Sequence, residues 1–333
     1  MGKRLQLNPE EAAKVREIAA VLKKGKSFLL TTHRNIDGDA IGSELALYAM
    51  LKKNGKEVTI INHDAIPAVY SFLPSVEKAM VSNGAVKTEM KPDVSVVIDC
   101  GTADRTGKVF EIVKKSGVII NVDHHFSNPG FGDINWINHR FSAAGEMIYF
   151  ILSEGGRIVT AKEAECLYTA LITDTGSFVH NIGPYTMDIA GELAAAGAAP
   201  EKIAKKIYFE RPLKSVKLLS LCLSGLKFER RNKICWIKVD KSMYRRTGTK
   251  EEDTEGFIDI LVRIKEADVV FFLKESGKTI KASLRSKERF DVEKIAAVFG
   301  GGGHKKAAGC YFEGSTLEQA ERKILAAIRR NKK

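Results

Sequence analysis

No run of about 18 apolar residues occurs in the chain, so no segment is long enough to span a membrane as a helix. The amino end, MGKRLQLNPEEAAKVREIAAVLKK, has a charged helical pattern and lacks the apolar core of a secretion signal. The cytoplasm is the expected compartment. The five cysteines, Cys100, Cys166, Cys222, Cys235 and Cys310, include no C-x-x-C pair. An odd, scattered set excludes a disulfide frame and a sulfur-ligated zinc site, and reads as small buried thiols in a reducing compartment. Internal repeats and low-complexity linkers are lacking as well, which leaves ordinary globular domains. An acidic excess is also missing. Lys and Arg outnumber Asp and Glu by 53 to 41, giving net charge +12 and a pI near 9.3. That balance is compatible with an anionic partner such as a nucleotide or nucleic acid. The basic residues are spread along the whole chain, however, and most read as solvated surface.

At 333 residues the chain is long for one core, and about two domains are expected. SFLLTTH, KEVTIIN, VSVVIDC and GVIINVD are short apolar, β-branched runs that read as buried strands. Helical patterns lie between them: AIGSELALYAMLKKNG, AIPAVYSFL and GKVFEIVKKSG. The alternation predicts an α/β fold with a doubly wound, mainly parallel sheet. From Ala143 to about Gly225 the pattern turns helical. ICWIKVD, ADVVFFLKE and KTIKASLRS then read as strands, and DVEKIAAVF and TLEQAERKILAAIRR as helices, of a smaller C-terminal α/β domain. The expected division is 1–190 for the first domain, 191–225 for a helical linker and 226–333 for the second domain.

Acids and imidazoles collect where strands end. His33 closes SFLLTT, and Asp37 and Asp39 follow in the turn before a helix. Asp99 closes VSVVI, while Asp123 and His124 close GVIINV. Asp174, in ALITDTGSF, ends a predicted helix at a Thr-Gly turn. In open α/β sheets the crevice beyond the carboxyl ends of the strands is where ligands bind. Each piece alone is bland: DGDA is usually an acidic helix cap, and a single histidine is usually a satisfied surface group. Their arrival at successive strand ends favours a metal site. Converging carboxylates would repel and titrate upward without cations. Two His and four Asp supply nitrogen and oxygen but no sulfur, which suits two divalent ions, Mn2+ or similar, over structural zinc.

These pieces, HRNIDGDAIGS, VVIDCG, VDHH and LITDTGSF in that order, resemble the DHH phosphoesterase superfamily. KASLRS with FGGGGHKKAAGC resembles the DHH-associated domain that ends its oligoribonuclease branch. The resemblance covers essentially the whole chain. Asn35-Ile36 stands where many members place a proline before Asp-Gly-Asp, a departure confined to the turn. The resemblance implies one metal held by His33, Asp37 and Asp99, and a second held by Asp39, Asp99, His124 and Asp174, with Asp99 as the bridge. Asp123 and His125 would orient ligands or touch phosphate. It also implies substrate contacts from Arg105, Arg285, the backbone of Gly301, Gly302 and Gly303, and His304.

Within the superfamily, pyrophosphatases carry a different second domain, RecJ-type nucleases are longer, and membrane-bound cyclic di-AMP phosphodiesterases carry spanning segments. The stand-alone NrnA-type enzymes fit. The implied function is a two-metal, Mn2+-dependent phosphodiesterase that cuts short oligoribonucleotides (nano-RNA, pApA) to mononucleotides, with removal of the 3′-phosphate of pAp as a second reaction. Cyclic di-AMP hydrolysis, and an idle nucleotide- or RNA-binding protein on the same fold, are the alternatives. No membrane partner is expected, and a homodimer is left open.

Overall fold

In the computed structural model the described residues are 5–82, 89–179, 181–287 and 290–331. They form two compact units, Met1–Glu210 and Arg211–Lys333. The first runs α1 (Pro9–Lys24), β1 (Ser27–Thr31), α2 (Gly38–Lys53), β2 (Glu57–Asn62), β3 (Ala79–Val81), β4 (Val94–Ile98), α3 (Phe110–Val113), β5 (Val118–Asp123) and β6 (Ile134–Ile137). The helices α4 (Ala144–Ser153), α5 (Ala161–Asp174), α6 (Thr186–Ala195) and α7 (Pro200–Ala204) follow.

The strands pair in parallel in the order β3-β2-β1-β4-β5-β6. SFLLT is buried after its first residue and VSVVI along its whole length, the pattern of strands covered on both faces. Chain order reverses between β1 and β4, which makes that pair the topological switch point. The register sets Thr31 opposite Val97, so the segments carrying His33 and Asp99 leave the sheet side by side. Position in the sheet, not proximity in sequence, brings them together.

Two expected helices are curtailed. AIPAVYSFL forms only a 3-10 turn at Ala68–Tyr70; Pro67 and Pro74 bracket it and deny it a helix interior. GKVFEIVKKSG shrinks to α3, after a 3-10 segment at Ala103–Val109 in which Gly107 takes φ 62°. A Cβ there would lie 2.3 Å from His63 Nδ1. Edge strands β3 and β6 were not legible because three or four residues carry too little periodicity.

Close helix packing places Asp174. A Cβ on Gly38 would sit 2.4 Å from Thr173 Oγ1, and one on Gly42 would sit 2.4 Å from the Cys166 carbonyl oxygen. Gly145 of α4 meets Ala170 in the same way, at 2.6 Å. The glycines of GDAIG therefore let α5 lie against the backbone of α2. The last residue of α5, Asp174, ends beside the start of α2, where Asp37 and Asp39 stand.

The second unit runs α8 (Leu213–Ser224), β7 (Lys227–Glu229), β8 (Ile234–Val239), α9 (Lys241–Thr247), α10 (Phe257–Val262), β9 (Val269–Ser276), β10 (Thr279–Ser286), α11 (Val292–Ala297), β11 (Gly302–His304), β12 (Ala307–Glu313) and α12 (Leu317–Arg330). Its sheet order is β11-β12-β10-β9-β8-β7, with β8 and β9 parallel and the other pairs antiparallel. The glycine run, a loop by default from its sequence, ends as the edge strand of a hairpin. Gly301 and Gly303 are required there: a Cβ would meet Gly309 O at 2.2 Å or Ala307 O at 2.4 Å, and Gly303 has φ 142°. These contacts are with backbone, which cannot move aside as a side chain can.

Gly42→Ala is expected to destabilise the chain by about 1–3 kcal/mol, because overpacking against a carbonyl outweighs alanine's better helix propensity. The denaturation midpoint measures this. An unchanged midpoint would mean that α5 can step away from α2 at no cost.

Candidate metal centre

The site begins at the end of β1. His33 Nε2 lies 3.2 Å from Asp99 Oδ2 and 3.6 Å from Asp37 Oδ2, and Nδ1 lies 2.7 Å from the Arg34 carbonyl. That carbonyl fixes the ring with Nε2 inward. Asp37 has two tasks: Oδ1 caps α2 by accepting the Ala40 N–H at 3.1 Å, while Oδ2 faces His33. Asp39 is held by the start of α4, accepting N–H bonds from Ala144 at 2.7 Å and Gly145 at 2.9 Å, and by the Ser43 hydroxyl at 3.1 Å.

His124 gathers the other half. Its Nε2 lies 3.4 Å from Asp99 Oδ1, 3.6 Å from Asp39 Oδ2 and 3.6 Å from Asp174 Oδ2. The two oxygens of Asp99 thus face different imidazoles. Asp99 takes φ 53° and Asn35 takes φ 59°, left-handed conformations that cost a non-glycine residue and recur at functional sites. His125 Nδ1 lies 2.7 Å from Asp123 Oδ1 and 3.5 Å from Asp99 Oδ1.

Charge divides the carboxylates. Burial raises Asp39 well above the usual range, with the Asp99 charge adding to it, and burial lifts Asp174 to about 6. Asp99 goes the other way. Burial opposes its ionisation, but the facing imidazoles of His124 and His33 hold it well below the ordinary value. Asp37, half exposed, loses some hydration in the site, but the His33 charge outweighs this and lowers it. Burial disfavours the His33 cation, as does Arg105, yet Asp37 and Asp99 raise it to about 10. Upward titration therefore reaches two of the acids, because protonated imidazoles stabilise the other two.

A divalent cation fits these donors. Asp99 Oδ1 and Asp174 Oδ2 are buried and make no ordinary hydrogen bond, with imidazole nitrogen at 3.4 and 3.6 Å. His33–Asp37–Asp99 and Asp39–His124–Asp174 each bring ligand atoms within 4.8 Å of one another. Nitrogen and oxygen donors without sulfur suit a hard or borderline ion.

Arg105 is drawn to the same place: its carbonyl accepts the Arg34 N–H at 2.8 Å, and its charge acts on His33. Arg285 lies on β10, with Nε 3.8 Å from Asp259 Oδ1, a loose and partly exposed pair. Gly301 donates its N–H to Ala296 O at 3.0 Å, so that donor is taken. Gly302 and Gly303 lie in β11 opposite Gly309 and Ala308. The His304 side chain lies outside the described residues; its backbone pairs with Ala307.

The sequence reading missed a supporting layer. Glu44 is fully buried on α2, and its Oε2 accepts from Asn62 Nδ2 at 2.7 Å. Asn62 Oδ1 in turn accepts the Thr32 N–H at 3.1 Å, which ties the end of β1 next to His33. Glu146 accepts the Ser142 N–H at 3.1 Å and pairs with its hydroxyl, fixing the loop whose Phe141 carbonyl lies 3.3 Å from His124 Nδ1. A carboxylate between the apolar stretches AIG and LALYAM was the available signal for Glu44.

Comparison with known proteins identifies the family. Residues 27–171 match the model of the DHH family, N-terminal domain, and residues 236–332 match the DHHA1 domain. A Thermus thermophilus protein named bifunctional oligoribonuclease and PAP phosphatase NrnA is 31% identical over 96% of this chain and 95% of its own. An exopolyphosphatase-related protein from Bacteroides fragilis superposes with TM-score 0.88 at 27% identity, over 99% of this chain and 98% of that one. RecJ from Thermus thermophilus in complex with Mn2+ shares the fold, with TM-score 0.58 at 14% identity over 98% of this chain and 56% of that one.

Burial raises Glu44 to about 8 against the opposing bond from Asn62. The folded chain therefore keeps a proton that the unfolded chain releases near pH 4.5. Stability is lost as pH rises between those values, by up to about 1.4 kcal/mol per unit. Glu44→Gln removes the linkage, so its urea midpoint relative to wild type should climb from pH 5 to pH 8. Parallel midpoint curves would show that Glu44 is ionised when folded.

Proposed function

The chain belongs to the DHH family and carries its DHHA1 domain, and on that premise we propose a two-metal phosphodiesterase that hydrolyses short oligoribonucleotides, pApA among them, to mononucleotides. Removal of the 3′-phosphate of pAp is its second reaction. One observation carries the reading: the Asp99 carboxylate reaches His33 with one oxygen and His124 with the other, the placement a bridging ligand needs. His33, Asp37 and Asp99 would hold one ion, and Asp39, Asp99, His124 and Asp174 would hold the second. Mn2+ suits the mixed imidazole and carboxylate set. Two divalent ions held there would supply an activated water and offset charge on the phosphoryl oxygens.

The chain's own residues do the rest. Asp123 accepts from His125 Nδ1 and so fixes the orientation of the ring that would contact a phosphate oxygen. Arg105 adds a guanidinium on the His33 side for the same anion. In the second unit Arg285, Ala307 and His304 occupy one cross-strand row, a support for a terminal phosphate. A short substrate makes few contacts, so binding energy from its terminal phosphate counts most for substrates of two to about four nucleotides.

The test is a product-resolved assay with pApA, pAp, RNAs of two, four and ten residues, and cyclic di-AMP. Chelation should abolish turnover, and Mn2+ should restore it better than Ca2+. Undiminished activity in metal-stripped protein, or faster cleavage of the ten-residue RNA or of cyclic di-AMP, would overturn the reading. Asp99→Asn should lower kcat by at least ~10²–10³ and weaken the uptake of both ions measured by titration calorimetry. Arg285→Ala should raise KM for dinucleotides about tenfold, in line with a lost charged hydrogen bond, with both ions still bound.

A further inference from the structure

The turn after His125 holds an aromatic ring in solvent beside the metal centre. Phe126 is 82% exposed, yet the turn that carries it is firmly built. The Asn128 N–H donates to the His125 carbonyl at 3.3 Å, and Asn128 Nδ2 donates to Asp123 Oδ2 at 2.6 Å and Asn121 Oδ1 at 2.9 Å. A second loop comes alongside. The Asn138 N–H donates to the Asp123 carbonyl at 3.0 Å, and the exposed His139 that follows meets Phe126 edge to face, with centroids 5.4 Å apart and planes at 77°.

Both loops therefore hang from Asp123, one from its side chain and one from its backbone. The same residue holds His125, whose Nδ1 lies 3.5 Å from Asp99. One residue thus registers the ring pair to the metal-binding carboxylates. Whichever ring supplies the edge, Phe126 keeps at least one face outside the contact. An exposed aromatic face fixed beside a phosphate-handling centre matches the flat apolar part of a nucleotide. We propose that Phe126, with His139 against it, is the platform on which a nucleobase of the substrate stacks; this rests on the phosphodiesterase reading above and adds its base-binding subsite. Stacking on an aromatic face tolerates every base, because each base has a π-face.

Two measurements test this. The first compares wild type, Phe126→Ala and Phe126→Trp on pApA and on the same dinucleotide lacking one or other base. Phe126→Ala should raise KM for pApA about tenfold to a hundredfold, the range of base–aromatic stacking, with a smaller change in kcat, and Phe126→Trp should restore it. On the dinucleotide that lacks the stacked base, the alanine variant should cost little more than wild type already loses. An equal effect on the intact and both abasic substrates would overturn the proposal. The second measurement follows the added fluorescence of Phe126→Trp, with wild type as baseline. AMP should quench it and ribose 5-phosphate should not. Equal quenching, or none, would also overturn the platform. If AMP alone quenches but no RNA is cut, the platform stands and the phosphodiesterase reading fails.

Discussion

The carboxylate of Asp99, set between His33 and His124 at the switch point of a parallel sheet, is the interaction on which the first unit converges. It requires a left-handed backbone at φ 53°, a conformation sustained by a bond from the Asp99 N–H to the Val122 carbonyl at 2.9 Å. Strain of this kind persists only where the surroundings over-determine it. Here β1 and β5 flank β4 on either side, and each contributes an imidazole at its carboxyl end. The fourth aspartate of the site arrives by another route. Asp174 ends a helix, and it reaches the crevice because Gly38 and Gly42 let that helix lie on the backbone of α2.

Electrostatics explains why these acids tolerate one another. Asp37 and Asp99 stay ionised because imidazoles face them, whereas burial makes ionisation costly for Asp39 and Asp174. A divalent cation would relieve the second pair and displace protons from the first group's imidazoles. Glu44 belongs to a different class. It is buried with an amide partner and no cation, and burial keeps it protonated near neutral pH. It therefore supports the end of β1 without adding charge to the centre.

The supporting layer also unites features that are separate in the chain. Asp123 binds His125, Asn128 and the backbone of Asn138, so the acid that ends β5 acts as an anchor for two loops. In the second unit, glycines again mark backbone approach. Gly301 and Gly303 press against β12, so the glycine run is a packed hairpin edge, and the N–H groups of Gly300 and Gly301 are already used internally.

Much of this was legible in the sequence, for identifiable reasons. Buried parallel strands are continuous apolar runs, so SFLLT and VSVVI announced themselves, and with them the strand ends that carry His33 and Asp99. DGDA read as an acidic turn before a helix; the helix begins two residues earlier than its apolar pattern, with Asp37 as the cap and Asp39 already in the first turn of α2. The sequence could not show which acids would be ionised, because that depends on which imidazoles face them across strands. Nor could it show Asn62 reaching Glu44, or Phe126 meeting His139, since those partners are 18 and 13 residues apart and meet through separate elements. Periodicity and composition are local properties, and they determined the strands, most of the helices and the supply of ligand atoms. The placing of Asp99 between two imidazoles, the seating of Asp174 and the exposed ring beside the centre are non-local: family resemblance implied the roles of the two acids, and the packing of strand ends and helices in three dimensions decided their geometry.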